Sequence, residues 1–138
     1  MGLRRKSREI ALQFLFGHDF QGLPNDVDSI EVELDQFSRC FESGKKAFPY
    51  ARELITGICS QLAVLDHLLV THSHNWRLER MSAVDRNILR IAVYEILYRE
   101  DVPAKVAINE ALEIAKQYSI SDSIPFINGV LDAVQSDT

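Results

Sequence analysis

The chain has 138 residues, 46% of them hydrophobic and 25% charged, with a net charge of −5, which is the composition of one globular domain rather than two. No run approaches the roughly 18 consecutive apolar residues of a membrane span, and the basic N-terminus lacks the apolar region of a secretory signal. Cys40 and Cys59 have no CxxC spacing, which argues against a disulfide framework and a zinc site. We therefore expect a reduced, cytoplasmic protein without a membrane anchor.

The first half of the sequence shows helical periodicity. Leu12, Leu15 and Phe16 follow i, i+3, i+4 spacing and predict an amphipathic helix over residues 3–17, which glycines and a proline then end. A second, acidic helix is predicted over about 28–42. From residue 48 the apolar positions continue to residue 69, as one long helix or as two with a break near residue 60. Residues 71–82 lose the pattern and predict a turn or short helix.

The second half begins with the most apolar helix. Residues 84–99 are apolar almost all round, which predicts a helix at the centre of a bundle. Ser82 is a predicted N-cap for it, with Asp85 as the acidic half of a capping box. Two more helices are predicted, one after Pro103 and one capped by Ser121 and Asp122. The predicted inner face of the last helix consists of Ile127, Val130, Leu131 and Val134. No segment has the period of a strand, so we predict an all-α fold of about seven helices.

No motif for catalysis or cofactor binding stands out. The six glycines form no phosphate loop, and the sequence alone cannot place a serine or cysteine beside a base. His67, His72 and His74 invite a metal site, but no second ligand pair stands at i, i+4 spacing with them, so solvated or packed histidines are the better interpretation. We expect no catalytic residue, no metal, no cofactor and no enzymatic activity.

The strongest binding signal in the residues themselves is a basic cluster at the start of the first helix. It consists of Arg4, Arg5, Lys6 and Arg8, with no acid in residues 1–8, whereas the other 130 residues hold 11 basic and 20 acidic ones. Arg4 and Arg8 are one turn apart, so a helix could present guanidiniums to phosphates along one edge. A solvated, frayed N-terminus explains the cluster equally well. Tyr118 and Phe126 could stack on RNA bases, although core packing is the better interpretation.

Three stretches together resemble the NusB family and cover nearly the whole chain. They are RRKSREIALQFLF at 4–16, WRLERMSAVDRNILRIAVYEILYR at 76–99 and VPAKVAINEALEIAKQYSISDSIPFINGVLDAV at 102–134. The order and spacing of the VDRNILRIAVYE, VAINEA and FINGVLD runs make the resemblance specific. It implies one RNA-binding domain, residues 1–138, with two perpendicular, packed helical subdomains at about 1–73 and 74–138.

The resemblance also implies a function, which is transcription antitermination. The family binds the boxA element of nascent ribosomal RNA as a heterodimer with NusE, a small-subunit ribosomal protein, within an RNA polymerase antitermination complex. The RNA contacts that it implies are the basic cluster together with Asp122, Ser123, Phe126 and Asn128, and the partner contacts are Phe16 and Asp85. A carboxylate repels phosphate, so Asp122 is expected to tune RNA affinity rather than to supply it. An aromatic anchor beside an acid suits a basic ribosomal protein.

Two other functions stay open. The same helical fold occurs as the N-terminal domain of ribosomal RNA cytosine methyltransferases, which continue into an α/β cofactor domain with a glycine-rich loop. This sequence stops at residue 138 without such a domain, which disfavours a methyltransferase. The third function is that of a homodimer that buries its RNA surface until a partner opens it.

Overall fold

The computed structural model describes residues 2–40, 44–73 and 80–138. Over these ranges the chain forms seven α-helices and no strand, which confirms the all-α prediction. The helices are α1 (Leu3–Gln21), α2 (Val27–Ser38), α3 (Phe48–Ser60), α4 (Leu62–His72), α5 (Ala83–Tyr98), α6 (Ala104–Tyr118) and α7 (Ser123–Ser136). They form two compact units, Met1–Gln61 and Leu62–Thr138. Of the turn or short helix predicted over residues 71–82, residues 74–79 lie outside the described residues, whereas Thr71 and His72 belong to α4.

The first unit is built on α1 and α3, with α2 packed against α3. Leu34, Leu54 and Ile58 are fully buried in it. The rings of Phe14 and Phe37 meet edge to face with their centroids 5.3 Å apart, which joins α1 to α2. The predicted choice between one long helix and two is settled in favour of two, because α3 ends at Ser60 and α4 begins at Leu62.

Helix α1 is longer than its periodicity predicted. It passes through Gly17 and ends at Gln21. The next residue, Gly22, caps the helix: it adopts the left-handed conformation with φ 64° and donates its N–H to the Asp19 carbonyl at 3.2 Å. A glycine inside a helix costs only about 1 kcal/mol relative to alanine, and the buried side chains of Leu15 and His18 on either side of Gly17 offset that cost. The expected end at residue 17 is therefore corrected to residue 21.

The second unit is built around α5, on which α4, α6 and α7 all pack. Leu89, Ala92 and Val93 are buried on it, as the all-round apolar pattern predicted. The buried Arg90 side chain holds α4 against α5, since its Nε and Nη2 each donate to a carboxylate oxygen of Asp66 at 2.8 Å. Helix α4 thus belongs to the second unit, and the division falls earlier than the expected boundary near residue 73.

The predicted inner face of α7 is confirmed, because Ile127, Val130, Leu131 and Val134 are all buried. Pro125 lies in the first turn of this helix, where its missing N–H has no helical partner to lose. Across the described ranges, no single helix is long and apolar enough to cross a membrane, and only α3 and α4 taken together, bent at their junction, meet that test.

Candidate nucleic-acid interface

The exposed start of α1 carries cations and no acid. Arg4 and Lys6 are exposed and Arg5 is partly exposed, whereas Glu9, the first acid of the helix, is buried. The Arg4 guanidinium lies over the ring of Tyr50 on α3, 4.0 Å from its centroid. This cation–π contact holds the side chain against the protein while leaving it at the surface. The first turn of α1 therefore presents ordered positive charge, as a phosphate contact requires.

Arg8 does not share this exposure. Only 4% of its surface is accessible, because position 8 lies on the same side of the helix as the buried Leu12 and Leu15. The expectation that Arg4 and Arg8 present guanidiniums along one edge is therefore corrected. In the structure the cations that reach the surface at the start of α1 are Arg4, Arg5 and Lys6, which lie around the helix rather than along one edge.

A hydrogen bond adds two lysines to this region that the sequence analysis did not single out. The Ser7 hydroxyl donates to the Ala47 carbonyl at 2.7 Å and is buried. Lys45 and Lys46, both exposed, immediately precede Ala47. The adjacent lysines before α3 were a signal in the sequence, but contacts between residues far apart in the sequence, such as this one, place them beside α1.

The α7 residues that the resemblance assigned to RNA occupy different surroundings. Asp122 is exposed at the N-cap position of α7, but its side chain makes no capping hydrogen bond, which corrects the predicted cap. Ser123 is buried, Phe126 is half-buried and Asn128 is exposed. At about 100° per residue, Asn128 projects roughly 120° around the helix from Asp122. These four residues therefore do not share one exposed face of α7.

The predicted partner residues also differ from each other in exposure. Phe16 is 41% exposed and stacks on Phe20, which is 81% exposed, with the ring centroids 6.4 Å apart. Phe20 was missed in the sequence analysis, although its i, i+4 spacing from Phe16 was visible. This exposed aromatic pair on α1 is the kind of surface that anchors a protein partner.

Asp85 is buried, and both oxygens of its carboxylate accept hydrogen bonds within the second unit. Oδ2 accepts from the Ser123 hydroxyl at 2.6 Å and Oδ1 accepts from the Ser119 hydroxyl. The predicted N-cap is confirmed, because Ser82 Oγ accepts from the Asp85 N–H at 3.1 Å. The carboxylate itself binds the two serines and not the start of its own helix. Asp85, which the resemblance implied as a partner contact, is therefore not at the surface of the second unit.

Two further expectations concern aromatic and histidine side chains. Tyr118 is 41% exposed, so its assignment to the core is wrong. His67 is exposed, and His72 Nε2 lies 2.5 Å from Asp137 Oδ2 and Nδ1 lies 2.9 Å from the Leu68 carbonyl. The hydrogen bond to Asp137 raises the pKa of His72 above its ordinary value. His74 lies outside the described residues, and among those described no group of three metal-binding side chains comes together.

The chain is similar to known proteins over nearly its whole length. The model of the NusB family matches residues 5–136. The transcription antitermination protein NusB of Desulfotalea psychrophila is 45% identical over 139 residues, covering 99% of this chain and 97% of that protein. The solved structure of T. maritima NusB has a TM-score of 0.83 at 36% identity, covering 97% of this chain and 91% of that chain.

A solved complex of the antitermination factors NusB and NusE with double-stranded RNA contains a chain of the same fold, with a TM-score of 0.81. It covers 99% of this chain and 98% of that one, at 21% identity, so this likeness concerns the fold. The full-length matches at higher identity confirm the resemblance seen in the three sequence stretches, and the chain belongs to the NusB family.

Proposed function

We propose that this protein binds a boxA-type element of nascent ribosomal RNA together with NusE and so takes part in antitermination by RNA polymerase. The observation that carries the proposal is the cluster of Arg4, Arg5 and Lys6 at the surface of the first turns of α1, on a chain that is otherwise acidic. Polyanion binding depends on such a concentration of charge, and the acidic remainder restricts where RNA can settle.

The RNA contacts are proposed to divide into two kinds. The arginines and lysine at the start of α1 contact phosphates, which gives affinity without sequence preference. The exposed Asn128 amide has both donors and acceptors for base edges, and Phe126 offers a half-buried ring. Asp122 accepts hydrogen bonds only and repels phosphate, so it limits the affinity of this surface.

The partner surface is proposed to centre on Phe16 and Phe20. The two stacked rings expose a large apolar area that water solvates poorly, and aromatic residues are frequent anchors of protein interfaces. NusE is the proposed partner because the solved complex of NusB with NusE and double-stranded RNA has the same fold as this chain. Asp85, also expected to contact the partner, is proposed to act only within the second unit, by holding the α6–α7 connection in place.

The mechanism is assembly and not catalysis. NusB antitermination factors are non-enzymatic RNA-binding regulators, as the sequence analysis expected for this chain. A complex that presents two weak RNA-binding surfaces binds RNA more tightly than either surface alone, because the second contact forms within an existing complex. In bacteria, nascent RNA leaves the polymerase in the cytoplasm. We therefore propose that the protein is cytoplasmic.

Fluorescence anisotropy tests the proposal directly. A boxA-containing RNA and a scrambled RNA of the same length are titrated with this protein alone and with its cognate NusE, at two salt concentrations. We expect selective binding to boxA that tightens when NusE is added and weakens as salt rises. Equal affinity for the two RNAs in all four conditions would contradict the proposal.

A further inference from the structure

Three contacts hold the turn before α3 and the start of α3 beside the first two turns of α1, and one further hydrogen bond closes the turn itself. The Ser7 hydroxyl donates to the Ala47 carbonyl at 2.7 Å, and the Ala47 N–H donates to the Gly44 carbonyl at 3.0 Å, which closes the turn that contains both lysines. Ala47 packs against the buried Ile10 of α1. A few residues later, the ring of Tyr50 lies under the Arg4 guanidinium. The position of residues 44–47 relative to α1 is therefore well determined.

This packing places the two lysines close to the cations of α1. Lys6 and Lys46 each adjoin one partner of the Ser7–Ala47 hydrogen bond. Because consecutive Cα atoms are about 3.8 Å apart, the backbones of Lys6 and Lys46 lie within roughly 15 Å of each other. Both side chains are exposed. Cations at this separation act on the same stretch of a polyanion, since the screening length is about 10 Å at moderate salt.

Three of the four cations at the start of α1 reach the surface, whereas Arg8 and the single acid are buried. In its first seven residues, Arg4 and Lys6 are exposed and Arg5 is partly exposed, whereas the single acid, Glu9, is 7% exposed. A phosphate group that approaches α1 thus meets cations before it meets a carboxylate. Lys45 and Lys46 enlarge this cationic area from one helix turn to two segments that are 40 residues apart in the sequence.

We propose that Lys45 and Lys46 form, with Arg4, Arg5 and Lys6, one continuous phosphate-binding surface that extends the RNA footprint beyond the start of α1. The inference rests on the proposed RNA-binding function and adds residues to it. The ligand chemistry is that of a single-stranded RNA backbone, which two exposed lysines contact as point charges without reading bases. The extension therefore contributes affinity and salt dependence, and it leaves the preference for one sequence unchanged.

The salt dependence of RNA affinity tests this surface. The boxA-containing RNA is titrated at five salt concentrations with the unsubstituted protein, the Lys45→Ala/Lys46→Ala variant and the Lys45→Arg/Lys46→Arg variant. Each phosphate contact contributes about 0.7 to the slope of log affinity against log salt for a single strand, so the alanine variant should lose about 1.4. At low salt the RNA affinity of the alanine variant should fall roughly three- to tenfold, while the arginine variant keeps the slope and the affinity of the unsubstituted protein.

Lys105→Ala is the matched control, because Lys105 is also an exposed lysine and lies at the far end of α6 from the α6–α7 connection. We expect Lys105→Ala to leave the slope unchanged, whereas Lys45→Ala alone lowers it. If Lys105→Ala and Lys45→Ala lowered the salt slope equally, the inference would be overturned, since the effect would then follow from net charge alone.

A second control separates this inference from the proposed function. If Arg4→Ala/Arg5→Ala lowers the slope and Lys45→Ala/Lys46→Ala does not, the extension is wrong and the proposed function stands. If the unsubstituted protein does not distinguish boxA from scrambled RNA at any salt concentration, the proposed function fails and the extension fails with it. RNAs shortened from one end or from the other provide a further test. Once the nucleotides that contact Lys45 and Lys46 are removed, the unsubstituted protein and the double alanine variant should bind with the same affinity.

Discussion

The hydroxyl of Ser123, in the first turn of α7, donates to Asp85 Oδ2 on α5 at 2.6 Å, and both side chains are buried. The other carboxylate oxygen accepts from Ser119 at the end of α6. One carboxylate thus holds both ends of the short connection that carries Asp122. A residue that the family resemblance assigned to the partner surface therefore determines the position of a segment assigned to RNA.

We predict that Asp85→Ala destabilises the protein by about 1–3 kcal/mol, because it leaves the buried Ser123 hydroxyl without its acceptor. Urea unfolding followed by circular dichroism measures the change. Asp85→Asn, which keeps one acceptor oxygen, should lose less. The matched control is Asp132→Asn on the exposed side of α7. An unchanged midpoint for Asp85→Ala would show that the two serine contacts contribute nothing to folding.

The position of Asp122 leads to a second prediction. Its carboxylate is exposed and makes no capping hydrogen bond to α7, so Asp122→Asn removes a charge without removing a cap. We expect boxA RNA to bind several-fold more tightly, because a repulsive charge near phosphates is lost. The free energy of unfolding should change by less than about 0.5 kcal/mol, as is usual for exposed sites. Anisotropy titrations at low salt test the affinity.

Weaker RNA binding by Asp122→Asn would show that the carboxylate accepts a necessary hydrogen bond from the RNA. Asp132→Asn again serves as the control, since it makes the same charge change on the exposed side of the same helix.

A third prediction follows from the burial of Arg8, because Arg4 and Arg5 can contact RNA at the surface and Arg8 cannot. Arg4→Ala/Arg5→Ala should lower RNA affinity and reduce the salt slope by about 1.4, if each contacts one phosphate. Arg8→Ala should chiefly lower stability, since the side chain is 4% exposed and its stem packs inside the protein. Anisotropy and urea unfolding on the same samples distinguish the two effects. A flattened salt slope in a fully folded Arg8→Ala variant would contradict this division.

Hydrophobic periodicity predicted most of the fold. It identified α5 as the central helix, and the inner face of α7 residue by residue, because burial on a helix follows directly from the 3.6-residue repeat. The N-cap at Ser82 was also predictable, since an N-cap is a contact between residues close in sequence. The end of α1 was not predictable, because in the sequence either Gly17 or Gly22 could end the helix. Tertiary packing decides that the helix continues past Gly17.

The candidate site was predictable only where local pattern decides exposure. The basic cluster was visible, but the burial of Arg8 depends on which side of α1 the rest of the unit covers. Lys45 and Lys46 join the site through a hydrogen bond between residues 7 and 47. Asp85 looked like half of a capping box, whereas its carboxylate binds serines more than 30 positions further along the chain. Contacts of this range leave no periodic trace in a single sequence.

The exposed aromatic pair leads to a fourth prediction. Phe16→Ala/Phe20→Ala should weaken the binding of NusE by about 2–4 kcal/mol, because aromatic anchors carry much of the energy of an interface. RNA affinity of the protein alone should stay the same, since neither ring carries a charge that contacts phosphate. Isothermal titration calorimetry with NusE provides the measurement, and Val32→Ala, an exposed apolar position on α2, is the control. Unchanged NusE affinity in the double variant would show that NusE binds at another surface of the protein.

A final prediction concerns His72, whose two ring nitrogens both face acceptors. Nδ1 lies 2.9 Å from the Leu68 carbonyl and Nε2 lies 2.5 Å from Asp137 Oδ2. Neither acceptor can donate, so both contacts are hydrogen bonds only when the imidazole is doubly protonated. This arrangement agrees with a raised pKa in the folded protein, for which the hydrogen bond to Asp137 is the main cause.

Because the pKa of His72 is higher folded than unfolded, its contribution to stability is complete below the unfolded value of about 6.5 and is lost as pH rises through the folded value. We therefore expect the free energy of unfolding in urea to fall between pH 6 and pH 8 by at most about 1 kcal/mol, since Asp137 is largely exposed and water screens the pair. Asp137→Asn should reduce this pH dependence, whereas substitution of the exposed His67 by Gln should leave it intact. If both variants keep the full pH dependence, the titrating group lies elsewhere in the protein.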